Sequence, residues 1–471
     1  MDEIKLSDYV IEQIKDFPSS FQALTEEQTP LIDKLILNEE LKKRYKWYGL
    51  CKECKQPNID SGWCQPCIRN HLKQNFKSWT SGNNEVDKFI RETQLKAKNR
   101  HQILEWIEYD KFEDIKYLAK GGFGTTYKAI WKDDPFWEKN YGEWGKIGET
   151  KVALKCLHNS QDISAEFFKE LESNIIASKS GNGFVVRCFG ITKDPKTNNF
   201  MIVMDLKKCS LRQHLNDNFN SLSWNKKIIM LRGISIGLRD IQNSGLIHRD
   251  FHCGNLLNNI YDSEVYITDL GLCQPANVKQ GDNKKIYGVL PYMAPEVLRG
   301  KEYTQASDIY GFGIIAYEIC TGLPPYHDIA HDELLAIKIC QGLRPKSNYK
   351  IPQLILDIIN QCWDADPLKR PKANGLSRLI KELYFDYNDE GSILYKQIEE
   401  ADEINDKPSS IVQSSSLFTS TLSYTTHPQA VYTSRLLDFK NLPEPKNAVE
   451  YSESLRMDFT KLDLNSKGER N

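Results

Sequence analysis

The sequence lacks the features that mark membrane-spanning or nucleic-acid-coating proteins. No apolar run approaches the roughly 20 residues needed to cross a bilayer, and the first five residues do not begin a secretory signal peptide. A net charge of −2 over 471 residues creates no global basic field that would attract nucleic acid or an anionic membrane. We therefore expect a cytoplasmic protein without membrane attachment, with the nucleus left open as a location.

The chain lacks the density of cysteines that a disulfide-stabilised fold requires. Twelve cysteines among 471 residues are too few for a disulfide-stabilised scaffold. Eight of them stand singly in apolar or loop surroundings, which is typical of small reduced core residues. The other four are grouped between residues 51 and 67 and require a separate explanation.

These four cysteines form two C-x-x-C pairs, Cys51 with Cys54 and Cys64 with Cys67. Each pair can place two thiolates on one metal ion, and four thiolates complete the tetrahedral shell of Zn²⁺. Because no ligand position stays open, we expect a structural zinc site, with a redox pair or coincidental free thiols as alternatives. The spacing loosely resembles the Ran-binding-protein type of zinc finger, which implies binding of RNA or ubiquitin. The weakly basic flank makes nucleic-acid binding the less expected role.

Polar residues of a catalytic type occur together on loops in the middle of the chain. Asp250 follows His-Arg in the segment Ile247–Leu257, where it can orient a hydroxyl group and accept its proton. Asn255 and Asp269 offer hard oxygen ligands of the kind that Mg²⁺ takes. Taken alone, such a loop is also compatible with a solvated turn.

Three further motifs precede this segment. A glycine-rich turn at residues 119–124 lets backbone N–H groups approach phosphates, although a lone turn of this kind is most often a hairpin. Lys155 ends a short apolar strand, where it is either a phosphate ligand or a surface charge. Downstream, Glu166 and Glu170 share one face of an amphipathic helix, and either could reach Lys155.

In this order and spacing the motifs resemble those of protein kinases, over about Phe112–Leu383. The later Ala-Pro-Glu296, Cys-Trp and Arg370-Pro motifs resemble the tyrosine-kinase-like group, whose members mostly phosphorylate serine and threonine. The resemblance implies an ATP- and Mg²⁺-dependent serine/threonine kinase that acts on protein substrates in signalling. It also implies that Arg370 pairs with Glu296 in a structural role.

The resemblance implies an α+β fold of two lobes, a small β-rich N-lobe and a larger helical C-lobe. We expect a small zinc module before it and a disordered tail after it. The predicted division is a helical N-terminal segment (1–50), a zinc knuckle (51–67), a helical linker (68–111), the kinase domain (112–384) and a disordered Ser/Thr-rich tail (385–471).

The resemblance assigns a role to each motif residue. Asp250 would take the proton of the acceptor hydroxyl, Asn255 and Asp269 would hold Mg²⁺, and Lys155, aimed by Glu170, would hold the α- and β-phosphates of ATP. The remaining nucleotide contacts would come from Ala119, Gly121, Gly122, Phe123 and Gly124 in the glycine loop and from Met204, Asp205 and Leu206 beside the adenine.

Several positions depart from the kinase pattern. Ala119 and Thr126 replace a glycine and a valine of the glycine loop, and Leu270 replaces the phenylalanine after Asp269. His252 and Val289 stand where serine/threonine kinases usually carry lysine and threonine. These departures keep two alternatives open, a tyrosine or dual-specificity kinase and a pseudokinase scaffold that acts through the zinc module and tail.

The segment Leu270–Met293, which corresponds to the activation segment, contains no serine or threonine. This excludes regulation by Ser/Thr phosphorylation within it. The segment is expected to be either constitutively ordered or switched through Tyr287, with Arg249, Lys284 and Lys285 as phosphate partners. Cys253 and Cys273 lie close to these motifs in the sequence. We expect them to be buried thiols rather than sites of redox control.

The end of the chain has two different textures. Ser409–Thr426 is dominated by serine and threonine, which predicts disorder and makes it either an autophosphorylation substrate or an inert linker. Val431–Leu442 brings apolar residues close together, which leaves docking on a partner or on the kinase itself as an alternative to disorder.

Overall fold

The computed structural model describes eleven stretches of the chain. These are residues 5–17, 24–60, 63–121, 124–140, 143–157, 160–161, 163–178, 183–259, 263–276, 286–406 and 424–448. Within these stretches, no helix has both the length and the apolar character required to cross a membrane.

The described residues form fourteen α-helices and thirteen β-strands. The helices are α1 Asp8–Ile14, α2 Gln28–Leu35, α3 Glu39–Tyr48, α4 Gln65–Asn75, α5 Asn84–Lys96, α6 Ala165–Ala177, α7 Leu211–Asn218, α8 Trp224–Asn243, α9 Pro295–Leu298, α10 Gln305–Thr321, α11 Glu333–Cys340, α12 Gln353–Cys362, α13 Ala373–Asp386 and α14 Ile393–Asn405. The strands are β1 Glu105–Trp106, β2 Phe112–Lys120, β3 Gly124–Asn140, β4 Glu143–Leu157, β5 Cys188–Lys193, β6 Phe200–Asp205, β7 Cys209–Ser210, β8 Leu246–Ile247, β9 Leu256–Asn258, β10 Val265–Ile267, β11 Gln274–Pro275, β12 Ile286–Gly288 and β13 Arg435–Leu437.

The first of two compact units comprises residues 1–168 and 187–206. Its six-stranded sheet has the order β1-β5-β6-β4-β3-β2. Alternating apolar residues of these strands, among them Val152, Leu154 and Val203, bury their side chains on one core, as expected for half-buried strands. Before the sheet, α1 to α3 pack around a separate apolar cluster that includes Ile14, Ile32 and Tyr45.

The second unit comprises residues 169–186 and 207–471 and is mainly helical. Helix α10 lies at its centre, and every residue from Ser307 to Thr321 is buried. A helix that is apolar on all sides must be enclosed, so the sequence of α10 specifies its position. Three small antiparallel sheets lie in this unit, namely β7-β9-β10, β8-β11 and β12-β13.

The structure corrects two of the predicted segments. The linker at 68–111 is not helical throughout, because β1 pairs in parallel with β5, with Glu105 opposite Gly190. The segment predicted to be disordered from residue 385 contains α14 and, further on, β13, whose Leu437 is buried. In both places an apolar surface elsewhere in the fold supplies the partner that the local sequence does not reveal.

Candidate functional site

The loop that carries Asp250 is held by a buried acid on α10. Asp308 accepts hydrogen bonds from the backbone N–H of His248 (2.7 Å) and of Arg249 (3.0 Å), immediately after β8. Arg249 has a φ of 71°, a left-handed conformation that the two bonds help to fix. Burial raises the pKa of Asp308 to about 7, although the two backbone donors act in the opposite direction.

The buried His248 ring contacts two backbone groups of the site. Its Nε2 lies 3.2 Å from the carbonyl oxygen of Thr268, and its Nδ1 lies 3.4 Å from the backbone nitrogen of Asp250. A neutral imidazole protonated on Nε2 satisfies both contacts, donating to the carbonyl and accepting from the amide. Burial lowers the pKa of His248, which favours this neutral form.

Asp250 and Asn255 are brought together by the fold. The Nδ2 of Asn255 donates to the backbone oxygen of Asp250 at 2.9 Å and to its Oδ2 at 3.2 Å. Both side chains are buried. Burial acts to raise the pKa of Asp250, but the interaction with the nearby His252 and the hydrogen bond from Ser434 outweigh it, so the pKa lies below its usual value and the carboxylate is ionised at neutral pH.

The hairpin of β9 and β10 places Asp269 beside this pair. Leu256 faces Ile267 across the hairpin, and the backbone N–H of Thr268 donates to the carbonyl of Asn255 at 3.0 Å. The Asn255 and Asp269 side chains therefore leave the two strand ends at the same edge. With Nδ2 of Asn255 turned to Asp250, its Oδ1 remains as the acceptor atom, so the edge offers the oxygen donors that Mg²⁺ prefers.

Glu170, on α6, also lies in this part of the second unit. A Cβ added at Gly271 would come within 3.0 Å of the Glu170 Oε2 atom. A side chain at the glycine of the Asp-x-Gly motif would therefore crowd this carboxylate. Asp269 itself has a left-handed backbone, with a φ of 61°.

The other predicted nucleotide contacts lie in the first unit. Lys155 is on β4, between Thr126 of β3 and Ile202 of β6, and Met204 and Asp205 end β6, with Leu206 directly after it. At the glycine-rich turn, the N–H of Gly121 donates to the carbonyl of Gly124 at 2.9 Å. A side chain at Gly124 would meet the carbonyl oxygen of Cys156 at 2.2 Å, so the β3–β4 pairing alone demands this glycine.

Gly122 and Phe123 lie outside the described residues, as do Lys284 and Lys285. Ala119 pairs with Thr126 across the β2–β3 hairpin, next to the turn. Whether the residues of the glycine loop contact a nucleotide therefore stays a prediction, and so does the pairing of Lys284 and Lys285 with a phosphate on Tyr287.

One residue of the site was missed by the sequence interpretation, which named only the apolar stretch around it. Ser434, on the C-terminal segment, places its Oγ 2.7 Å from Oδ1 and 2.5 Å from Oδ2 of Asp250. The same Oγ lies 3.3 Å from Nε2 of His252. The Nδ1 of His252 accepts from the backbone N–H of Gly254 at 3.1 Å, so Nε2 carries the proton and donates to the serine oxygen.

The two tyrosines of the activation segment have different surroundings. Tyr292 is buried and bonded to Arg212 and Glu318, and burial raises its pKa well above the usual value. Tyr287 is half-buried, and its backbone N–H and C=O both bond to the hydroxyl of Tyr303. Of these two tyrosines Tyr287 is the more accessible, and the choice between a constitutively ordered segment and a switch through Tyr287 stays a prediction.

Cys253 and Cys273 do not have the environment of reactive thiols. Both are buried, and burial raises the pKa of each thiol well above its usual value. Since the thiolate is the reactive form, such cysteines resist oxidation. This agrees with the interpretation of buried thiols rather than redox control.

The four N-terminal cysteines converge on one point of the first unit. The Sγ atoms of Cys51, Cys54, Cys64 and Cys67 all lie within 4.8 Å of one another, and all four residues are free thiols. The Cys51–Cys67 sulfur distance is 3.8 Å and the Cys54–Cys64 distance is 3.3 Å. Four sulfurs at about 2.3 Å from one tetrahedral ion would be about 3.8 Å apart, so the donor set fits zinc.

Comparison with known proteins places the site in context. Residues 112–380 match the family model described as protein tyrosine and serine/threonine kinase. The chain is 29% identical over 295 residues to a probable serine/threonine-protein kinase of Dictyostelium discoideum, covering 60% of this chain and 16% of that protein.

Two other relatives show the range of names in this group. Probable serine/threonine-protein kinase gdt4 of Dictyostelium discoideum is 29% identical, over 61% of this chain and 17% of its own length. Tyrosine-protein kinase SPK-1 of Girardia tigrina is 28% identical, over 56% of this chain and 52% of its own length. The chain thus spans only part of each relative.

Proposed function

Because the chain belongs to the protein tyrosine and serine/threonine kinase family, we propose that it transfers the γ-phosphoryl group of ATP to serine or threonine hydroxyls of proteins in signalling. The observation that carries the proposal is the ionised Asp250, bonded to Asn255 and within 2.7 Å of a seryl hydroxyl. A carboxylate at hydrogen-bond distance from a hydroxyl is positioned to orient that hydroxyl and receive its proton.

The other motif residues supply binding and charge. Asn255 and Asp269 would hold Mg²⁺, which neutralises charge on the transferring phosphoryl group when bound. Lys155 would hold the α- and β-phosphates, and Glu170 would orient Lys155. His252 donates a hydrogen bond to the acceptor oxygen from its Nε2, which keeps the hydroxyl proton directed at Asp250.

The flanking segments have separate proposed roles. The four sulfurs of the N-terminal module would bind structural Zn²⁺ and fix residues 51–67, ahead of a kinase domain at 112–384. We also propose the cytoplasm as the site of action. We propose no docking partner for the C-terminal segment, because in the structure this segment lies on its own kinase domain.

A tyrosine or dual-specificity kinase is the second candidate, because one of the relatives is named a tyrosine kinase and another a dual-specificity kinase. A pseudokinase scaffold is the third. Its support comes from the departures at Ala119, His252 and Val289, whereas the intact Lys155 and Asp250 oppose it.

The test is Mg·ATP-dependent phosphate transfer by the purified chain to a mixture of serine, threonine and tyrosine peptides. We expect phosphoserine and phosphothreonine, and loss of transfer in Asp250→Ala with an unchanged circular dichroism spectrum. Phosphotyrosine alone would establish the second candidate. If a correctly folded Leu437→Asp variant, whose C-terminal segment is released, also shows no transfer, the pseudokinase scaffold is established.

A further inference from the structure

The C-terminal segment presents one serine to the proposed catalytic base. The Oγ of Ser434 lies within 2.7 Å of both carboxylate oxygens of Asp250 and accepts from His252. A hydroxyl that donates to Asp250 while accepting from His252 has its remaining lone pair free for attack on an electrophile. This arrangement is that of an acceptor held by its kinase.

Backbone pairing fixes which residue reaches Asp250. Immediately after Ser434, β13 pairs antiparallel with β12 of the activation segment, with Arg435 opposite Gly288, Leu436 opposite Tyr287 and Leu437 opposite Ile286. Because side chains alternate along a strand, a shift by one residue would exchange the buried Leu437 for the exposed Leu436. The pairing therefore determines that Ser434 is the residue that reaches Asp250. Its neighbour Thr433 is exposed.

The segment before Ser434 is anchored by side chains of the second unit. Tyr432 stacks over the guanidinium of Arg212 at 4.1 Å and donates from its hydroxyl to the carbonyl of Pro325 at 3.0 Å. The N–H of Val431 donates to Nδ1 of His331 at 3.0 Å. These contacts hold the approach to Ser434 from one side.

The segment after β13 is anchored as well. Leu442 is buried, and its carbonyl accepts from Nε of Arg299 at 3.2 Å. The N–H of Lys446 donates to the carbonyl of Cys340 at 2.8 Å, and Oδ1 of Asn447 accepts from the N–H of Ala365 at 2.7 Å. The segment 424–448 is thus a strap bound on both sides of Ser434.

From this geometry we propose that Ser434 is a phosphorylation site that the kinase modifies in its own chain. The proposal rests on the proposed function. The Ser434 Oγ forms the new bond to the γ-phosphorus of ATP, the bond from that phosphorus to the β,γ-bridging oxygen breaks, and ADP leaves with the electron pair. The hydroxyl proton passes to Asp250, so atoms and charge balance without a further reactant.

Modification also changes the strap. The phosphate adds about −1.5 to −2 charge next to the buried, ionised Asp250, and like charges at this distance repel strongly. The strap occupies the position of the acceptor hydroxyl and the edge of β12, where a protein substrate would pair. Phosphorylation of Ser434 therefore releases the strap and opens this surface to other substrates.

The first experiment follows Ser434 in the purified full chain after addition of Mg·ATP, by phosphopeptide mass spectrometry. We expect phosphate on Ser434 with a first-order rate that does not change when the protein is diluted, because the acceptor is already bound. Ser434→Ala should remove this phosphopeptide, and Thr433→Val, which removes the exposed neighbouring hydroxyl, should not. A rate proportional to protein concentration would overturn modification within one chain.

A second pair of variants tests the docking. Leu437→Asp places a charge at a buried position, whereas Leu436→Asp places the same charge at an exposed position of the same strand. Loss of the leucine burial should weaken docking by roughly tenfold to a hundredfold. We expect Leu437→Asp to slow Ser434 phosphorylation and to lower the KM for an added serine peptide, with Leu436→Asp close to wild type. Equal behaviour of the two variants would overturn the proposal.

The Leu437→Asp variant, in which the strap is released, distinguishes failure of the proposed modification site from failure of the proposed function. Peptide phosphorylation by Leu437→Asp without any phosphate on Ser434 in the wild-type chain would leave the kinase activity established and refute the modification site. If neither peptide nor Ser434 is phosphorylated by folded protein, the proposed function itself fails.

Discussion

Two arginine–glutamate pairs in the second unit differ in burial. Comparing them measures how burial changes the contribution of an ion pair to stability. Arg370 binds Glu296 through two parallel bonds of 2.7 and 2.8 Å, and both side chains are buried. Arg299 binds Glu444 in the same two-bond geometry, but the Glu444 side chain is 75% exposed. We expect losses of stability of very different size when each pair is broken.

The magnitude follows from what each arginine satisfies. Arg370 also donates to the carbonyls of Asp364 (2.8 Å) and Ala306 (2.9 Å), so Arg370→Ala leaves a buried carboxylate and two buried carbonyls without their donor. Breaking a buried pair costs about 3–5 kcal/mol, a large part of the roughly 5–15 kcal/mol that stabilises a domain. Glu296→Ala should cost less than Arg370→Ala, since the guanidinium keeps the two carbonyls.

The exposed pair should contribute only about 0.2–1 kcal/mol, because water competes for both charges. The assay is a double-mutant cycle for each pair by urea unfolding, with alanine at one, the other and both positions. We expect a coupling energy of about 2–3 kcal/mol for the buried pair and below about 1 kcal/mol for the exposed pair. Coupling energies that agree within about 0.5 kcal/mol would refute the reasoning that burial decides the difference.

Two further predictions concern metal and pH. Purified protein should contain one zinc ion per chain by elemental analysis, and Cys64→Ser should lose it while Cys156→Ser, outside the cluster, keeps it; zinc-free wild-type protein would contradict the assignment. The folded-state pKa of Asp308, about 7, lies above its ordinary value of 3.8, so its contribution to stability is complete at low pH and is lost as pH rises towards 7. The stability of wild type relative to Asp308→Asn should therefore fall between about pH 4 and pH 7, by at most about 1.4 kcal/mol per pH unit, and level off above; a difference that does not change with pH in urea unfolding would contradict this.

The contact between the two loop residues that we propose to be functional was predictable from local sequence. Asp250 and Asn255 lie five residues apart on one loop, and a bond between them requires no distant partner. The four cysteines were identified for a similar reason, because two thiols separated by two residues can reach one point whatever the rest of the chain does. Likewise, the nearly all-apolar run after Ser307 is a local feature, and such a helix must be enclosed.

Other features depended on pairings between distant residues. The strand at Glu105–Trp106 exists because β5 lies beside it, and the local pattern alone favoured a helix. The bond of Arg212 to Glu318 joins residues 106 positions apart, and no local pattern predicts it. Such contacts are decided by packing, which the propensities of short segments do not encode.

The sequence by itself determined the family and predicted the catalytic residue types and their order, since phosphoryl transfer requires these groups at fixed local spacings. It left open whether the apolar stretch at residues 431–442 docks on a partner, docks on the kinase itself or belongs to the disordered tail. Only the tertiary structure decided that Leu437 enters the core and that Ser434 meets Asp250 across 184 positions. The physical reason is that strand register is set jointly by the two paired segments and by the core that receives alternate side chains.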